Sequence, residues 1–286
     1  MNLDKNLLQK KFGKSLIIEE NLSKYSWFNI GGPAEVFFRP KSKEELIDLL
    51  KEIKNIQKKI YILGAGSNTL IRDKGIKGIV IKLSSKFSKM KVINDNLIEV
   101  GAAALDRNVS DFAKNNKIGN MEFLSCIPGS IGGAIIMNSG CYGTDISQIL
   151  KSIKVIDEKG LEKEIGKDEI EFFYRGSNLP KNYIIISAIL RGITCSKDQI
   201  EKKQKELIRK KKLSQPNQIK TGGSTFKNKK NKKAWMLIKE SGCDKIYVGD
   251  AKISDKHCNF FVNNGKAKAA DIETLIKKVK QEVFSK

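Results

Sequence analysis

The run Ser125–Gly143, SCIPGSIGGAIIMNSGCYG, constrains this chain more than any other stretch. Its centre, Pro128-Gly-Ser-Ile-Gly-Gly-Ala134, offers a backbone almost bare of side chains. A chain that passes tightly along a flat, extended ligand needs such residues, because any Cβ would obstruct the approach. The same composition suits a tightly packed loop that holds nothing, and it reads as neither a good helix nor a good strand. A second glycine loop, Gly64-Ala-Gly-Ser-Asn68, follows the short strand expected at 59–63. Successive N–H groups in such a loop can converge on a phosphate. It lacks the third glycine and following periodic helix of a dinucleotide fingerprint, so an ordinary loop reads the same way. Two such loops in one domain can grip one pyrophosphate from two sides.

The elements around them alternate in type. Strands are expected at 34–39, 59–63, 78–83 and 97–100, with a hairpin from 149–157 through the turn Glu158-Lys-Gly160 to 161–165. Ser42 opens a helix with Glu45 as capping-box partner and Leu46, Leu49, Leu50 and Ile53 as its apolar stripe. Helices are also expected at 105–116 and, briefly, at 167–173, before a buried strand at 183–191. Neighbouring strands with interspersed helices give an α+β class. The charged helix 196–212 separates this part from a second one, with a helix at 234–241, a strand at 259–263 and a helix at 269–284 carrying Ile272, Leu275, Ile276, Val279 and Val283. A loop is expected over the Lys/Asn run 227–233. The resulting division is an N-terminal segment 1–26, a first domain 27–192, a connecting helix 193–212 and a smaller α+β domain 213–286.

Composition narrows the chemistry. The five cysteines form no Cys-x-x-Cys pair, which argues against a disulfide framework or zinc site and for a reducing compartment. The only histidine is His257, which excludes a His-based metal site and the Ser-His-Asp template, and no metal is expected. The net charge is +22, yet of 54 basic residues only six are Arg. Close readers of nucleic acid favour Arg for bidentate contacts. The lysine excess therefore reads first as composition bias, with attraction of phosphate-rich small molecules or weak nucleic-acid affinity as the other readings. The longest apolar stretches, Tyr183–Leu190 and Ile131–Met137, are too short to cross a bilayer as helices, and no signal peptide is read. A cytoplasmic protein is expected.

Two further motifs carry reactive groups. Arg175, in Tyr174-Arg-Gly-Ser177, can pair with an anionic substrate or simply sit on the surface. Ser224, in Thr221-Gly-Gly-Ser-Thr-Phe-Lys-Asn228, lies on a glycine turn that lets a hydroxyl approach a reacting carbon. Lys227 and Asn228 follow it as possible phosphate or sugar contacts.

In this order the motifs resemble the bacterial UDP-N-acetylenolpyruvoylglucosamine reductase family. The match runs from Ser26-Trp-Phe-Asn-Ile-Gly-Gly-Pro-Ala34 through 64–68, 127–143, 174–177, Gln215-Pro216 and 223–228 to Ser254-Asp-Lys-His-Cys-Asn259 and Phe261-Val-Asn263. The short interval between Arg175 and the strand at Ile184 resembles the branch lacking a substrate-covering insertion. The resemblance implies a flavin-binding domain of the vanillyl-alcohol oxidase (PCMH) type, followed by a smaller substrate-binding domain. It implies reduction of FAD by NADPH, then hydride transfer to the enolpyruvyl group of a UDP-sugar in peptidoglycan precursor synthesis. Gly64, Ala65, Gly66, Ser67 and Asn68 would bind the FAD pyrophosphate on one side, with Gly129, Ser130, Gly132 and Gly133 on the other. Arg175 would stabilise the enolate-like intermediate and Ser224 would give a proton to C2. Lys227, Asn228 and His257 fall where the family contacts substrate.

With no histidine in the first domain, FAD is expected to be held non-covalently. The other expectations are a monomer acting on a small UDP-sugar, with no nucleic-acid or membrane partner. The family's last segment carries a Leu-Glu motif whose glutamate joins the arginine at the substrate carboxylate. The sequence runs to Lys286 without a match to it, so cofactor binding is expected to survive better than turnover. Two competing readings are another flavin oxidoreductase of the same fold and a basic nucleic-acid-binding protein.

Overall fold

Ser42 opens the first strongly amphipathic helix. In the computed structural model, which describes residues 3–56, 58–229 and 231–286, that helix runs Lys43–Ile53. The start of the N-terminal segment, one residue of the first domain and one position of the run 227–233 lie outside the described residues. Ser42 Oγ accepts the Glu45 amide at 3.2 Å. The reciprocal half of the expected capping box moves by one residue, because the Glu45 carboxylate takes the amide of Lys41 instead of that of Ser42. Leu46, Leu49, Leu50 and Ile53 bury against Val36, Phe38, Ile79 and Ile81. Those four belong to a sheet with spatial order Leu16–Asn21, Pro33–Phe38, Ile76–Ile81, Ile60–Ile62. The last two strands are parallel. Parallel neighbours cannot be joined by a tight hairpin, so 63–75 forms a crossover and the glycine loop 64–68 begins it.

A second sheet is antiparallel, in the order Glu162–Gly166, Leu150–Ile156, Ile184–Arg191, Leu97–Gly101, Met90–Asn94. Ile184 and Ile186 join the core under Lys43–Ile53, while Ile185, Ala188 and Leu190 join a second core with Ile98, Val100, Ile153 and Val155. Both faces of this strand are covered, which is why it reads as a continuous apolar run. The charged helix Lys197–Ser214 buries Ile200, Gln204 and Leu207, and Gln204 Nε2 donates to Ser110 Oγ at 2.7 Å.

Three expectations are corrected. The glycine-dense run contains the short helix Ile131–Ile136. Tertiary acceptors make it possible: the Ile131 amide donates to the Ala104 carbonyl at 3.0 Å and the Gly132 amide to that of Ala102 at 2.9 Å. No helix spans 167–173. A single turn at Lys167–Glu169 leads into a two-stranded ribbon, Phe172–Phe173 paired with Gly176–Ser177. Its two-residue tip, Tyr174-Arg175, closes because Arg175 adopts φ +63°. The compact units, finally, are not contiguous in sequence as 27–192 and 213–286 would be. One comprises 1–18, 36–65 and 78–210, and the other 19–35, 66–77 and 211–286. The second unit draws on early segments because its core needs them: Phe28 and Ile30 are buried with Ile238, Ile253, Phe261, Ile272, Leu275 and Val279.

That second unit is built on an antiparallel sheet ordered Thr221–Ser224, His257–Asn263, Ala251–Ser254, Tyr247–Val248. The helices Ala234–Glu240 and Ala269–Ser285 accompany it, and the second buries Ala269, Ile272, Leu275 and Val279. No disulfide joins the five cysteines. Among the described residues no helix is long and apolar enough to cross a membrane.

Candidate active site

In the first unit the two glycine loops meet. A Cβ placed on Gly64 would lie 2.9 Å from Ser130 Oγ, so a side chain at 64 would fill the space between them. Gly129 is hemmed in as closely: its Cβ would come within 2.5 Å of Asp106 Oδ2. Gly132 needs its missing side chain for packing, since a Cβ there would press on Ala102 at 3.2 Å. Beneath the first loop the Lys82 ammonium donates to the Gly64 carbonyl. Burial pushes the Lys82 pKa down, and the neighbouring Arg39 adds to this. Lys82, with Arg39 near enough to act on its charge, therefore stands behind a glycine-rich cradle. An extended diphosphate fits that arrangement by shape and by sign of charge. The sequence pointed to the glycines and missed Lys82, which stands in no local motif.

The compact-unit boundary falls inside the loop, between Ala65 and Gly66. Gly66 has φ +72°, and its Cβ would overlap the Tyr25 carbonyl oxygen at 1.8 Å. The Gly66 carbonyl accepts the Trp27 amide at 3.1 Å, and Ser26 Oγ donates to the Thr69 carbonyl at 3.0 Å. The motif Ser26–Gly32 thus buttresses Gly66, Ser67 and Asn68.

Asp106, at the start of helix Asp106–Asn115, has no solvent exposure, and neither carboxylate oxygen has a hydrogen-bond partner. Its amide donates to the Gly129 carbonyl at 3.2 Å. Burial raises its pKa well above the ordinary carboxylate range, which favours the neutral form and lessens its opposition to a bound anion. The folded state keeps this proton where the unfolded chain has lost it. Stability therefore falls as pH rises from about pH 4. Asp106→Asn cannot ionise. Thermal melts should place its Tm above the wild type's at neutral pH, with the difference vanishing below about pH 4; parallel curves would contradict this.

Arg175 projects from the ribbon tip, half-buried, with its guanidinium 5.6 Å from the Tyr174 ring centroid. The ribbon is tied to the glycine-rich helix: Ser177 Oγ donates to the Ile136 carbonyl at 3.2 Å and Asn138 Nδ2 to that of Phe173 at 3.4 Å. Phe173, Tyr174, Ile136 and Tyr142 are exposed around this connection. An apolar, aromatic surface with one cation suits a flat ring system and an anionic group beside it.

The second unit places Ser224 at the end of an edge strand, Lys227 and Asn228 on the loop that leaves it, and His257 at the start of the neighbouring strand His257–Asn263. Thr221 pairs with Val262 and Ser224 with Phe260, so the Ser224 strand carries one extra residue at Gly222-Gly223. Such a bulge re-aims the residues beyond it. Gly223 takes φ +82°, and a Cβ on Gly222 would strike the Phe28 ring at 2.5 Å. Ser224 and Lys227 are exposed. Asn228 Oδ1 accepts the Ala234 amide at 3.0 Å and so caps the next helix. His257 packs edge-on against Phe260, with centroids 4.9 Å apart, and its Nδ1 accepts the Asn259 amide at 3.2 Å. That bond puts the proton of the neutral imidazole on Nε2, and burial pushes the pKa down, which favours the neutral ring. Among the described residues no group of three or more His, Cys, Asp or Glu side chains is placed to hold a metal.

Two family models match successive stretches of the chain. Residues 34–166 match a family model described as an FAD binding domain, and 215–286 match the C-terminal domain of UDP-N-acetylenolpyruvoylglucosamine reductase. The chain is 46% identical over 269 residues to the UDP-N-acetylenolpyruvoylglucosamine reductase of Pelagibacter ubique, covering 93% of this chain and 89% of that protein. It is 42% identical over 260 residues to the enzyme of the same name from Gluconobacter oxydans, covering 91% and 84%. The crystal structure of the Thermus caldophilus reductase superimposes with a TM-score of 0.83 at 31% identity, over 93% of this chain and 94% of that one. A flavin-binding domain followed by the reductase C-terminal domain, at this identity and coverage, places the chain in the UDP-N-acetylenolpyruvoylglucosamine reductase family.

Proposed function

We propose that this chain reduces the enolpyruvyl group of UDP-N-acetylglucosamine enolpyruvate to give UDP-N-acetylmuramate, with NADPH as electron source, as a cytoplasmic monomer supplying peptidoglycan precursors. The observation that carries this reading is the reductase-specific C-terminal domain at 215–286, on which Ser224 and His257 stand. It favours the reductase over an oxidase built on the same flavin-binding domain and over a nucleic-acid-binding protein.

The residues divide the work. Gly64, Ala65, Gly66, Ser67 and Asn68 on one side, and Gly129, Ser130, Gly132 and Gly133 on the other, hold the FAD diphosphate, with Lys82 behind the first loop. When bound there, FAD would supply C3 of the enolpyruvyl group with a hydride that originates from NADPH. Arg175 pairs with the substrate carboxylate and stabilises the charge that spreads from C2 onto it. That charge is larger in the transition state than in the ground state, so the contact accelerates the step. Ser224 Oγ gives its proton to C2, and the alkoxide left behind recovers a proton from solvent. A serine hydroxyl is a weak acid, but the enolate carbon is strongly basic. Lys227, Asn228 and His257 contact the UDP-sugar, His257 through its Nε2–H.

Mass spectrometry of the product tests the reading. With FAD, NADPH and substrate, the sugar nucleotide should gain two hydrogens. Ser224→Ala should leave reduction by NADPH intact and slow the step that consumes substrate by about 10²- to 10⁴-fold. Consumption at the wild-type rate in that variant would remove Ser224 from the mechanism.

A further inference from the structure

Ser224 ends the edge strand Thr221–Ser224, where the ladder to His257–Asn263 also ends. Past Ser224 the main chain of the paired strand supplies one more bond, to the Thr225 amide, and holds Phe226 no further. An exposed serine at a strand end, after two glycines, would sample many positions. Yet Phe226 is held, and one side chain does most of the holding.

That side chain is Asn259, 3% exposed. Its Oδ1 accepts the Phe226 amide at 2.9 Å, and its Nδ2 donates to the Phe226 carbonyl at 2.9 Å. Its own carbonyl accepts the Thr225 amide at 2.8 Å. The carboxamide thus supplies an extra rung of ladder, pairing with both backbone groups of one residue. Only a side chain with one acceptor and one donor in a plane can do this. On the other side of the bulge, Thr221 Oγ1 donates to the Phe261 carbonyl at 2.6 Å and accepts the Gly223 amide at 3.2 Å. Phe226 is also fixed by its ring, edge-on to Phe261 at 5.8 Å. Ser224 is therefore clamped before and after. The Asn259 amide, meanwhile, sets the His257 tautomer. That contact is made by the main chain, so a change of the Asn259 side chain leaves it in place.

We infer that Asn259 is a positioning residue for the proton transfer to substrate: its carboxamide clamps the Phe226 backbone and so holds Ser224 Oγ in the attitude from which it protonates C2. The inference rests on the role given to Ser224 above. Asn259 touches neither substrate nor cofactor in this account. Its effect should pass entirely through Ser224 and spare the reduction by NADPH.

A double-mutant cycle on the FAD-loaded protein tests this, with the two half-reactions followed separately by anaerobic stopped flow. Asn259→Ala should reduce with NADPH at the wild-type rate and slow the substrate-consuming half-reaction by about 10- to 100-fold, the cost of a small misplacement. The solvent deuterium isotope effect on that half-reaction should rise, because proton delivery becomes limiting. Asn259→Asp keeps the shape and the acceptor but loses the donor, and should fall in the same direction. It carries the test should the alanine variant not fold. In a Ser224→Ala background either change should add nothing. Equal slowing of both half-reactions, the same slowing without Ser224, or no slowing at all would overturn the inference. A Ser224→Ala variant that consumes substrate normally would instead overturn the reading on which it stands.

Discussion

Arg175→Gln is expected to cut the substrate-consuming half-reaction by about 10²- to 10³-fold or more while leaving cofactor content and reduction by NADPH close to normal. Removing one preorganised donor from a developing oxyanion already costs about 2.7–4 kcal/mol in other enzymes, and this change removes a full charge as well. The fold should tolerate it. Arg175 already pays for φ +63° at the ribbon tip, and glutamine adopts that conformation no less readily. The ribbon's own ties, through Ser177 and Asn138, do not involve the guanidinium. Arg175→Lys keeps the charge but loses the planar fork and the stack on Tyr174, so it should recover part of the rate. Single-turnover kinetics separates these cases. A glutamine variant that consumes substrate normally would place the carboxylate elsewhere.

The second large effect belongs to Gly66. Gly66→Ala should cost about 2–4 kcal/mol of stability and most of the affinity for FAD. Two penalties add. A non-glycine residue at φ +72° costs about 1–2 kcal/mol. The new methyl would also overlap the Tyr25 carbonyl at 1.8 Å, which is backbone and cannot swing away. Either 25–27 or 64–68 must move, and the second is the loop assigned to the diphosphate. Gly143→Ala isolates the first penalty, because Gly143 has φ +86° with nothing within 4 Å of its Cβ. Thermal melts and FAD titration should show a small loss of Tm with near-normal binding at Gly143, and a large loss of both at Gly66. Equal effects at the two positions would mean that conformation alone, and not the close approach, matters at Gly66.

What the sequence disclosed follows from the range of the forces involved. The helices at Lys43–Ile53 and Ala269–Ser285 were legible because their apolar stripes repeat with the helical period and their cores lie along one face. The strand Ile184–Arg191 was legible as a buried run. Helix Ile131–Ile136 was not, because its first amides are satisfied by Ala102 and Ala104, about thirty residues away, and no local signal records that. The ribbon under Arg175 depends on a positive φ at an arginine, which turn statistics do not favour. The recruitment of 19–35 and 66–77 into the second unit is a matter of core composition that periodicity cannot express. At the site, the glycines stood out by composition, whereas the roles of Arg175 and Ser224 came from the family resemblance. Asn259 lay inside a quoted motif, but its use as a backbone clamp is visible only once Phe226 is seen opposite it. Lys82 and Asp106 carried no sequence signal, since what distinguishes them is burial beside the two glycine loops.

In the proposed reaction one site accepts electrons from NADPH and delivers them to an enolpyruvyl UDP-sugar. The most direct test is anaerobic absorbance of the FAD-loaded protein. NADPH is added until the yellow band bleaches, excess nucleotide is removed, and the enolpyruvyl UDP-sugar is added. The band should return with formation of one equivalent of the reduced sugar nucleotide. A band that stays bleached with substrate present, and returns only when oxygen is admitted, would contradict the proposed reaction.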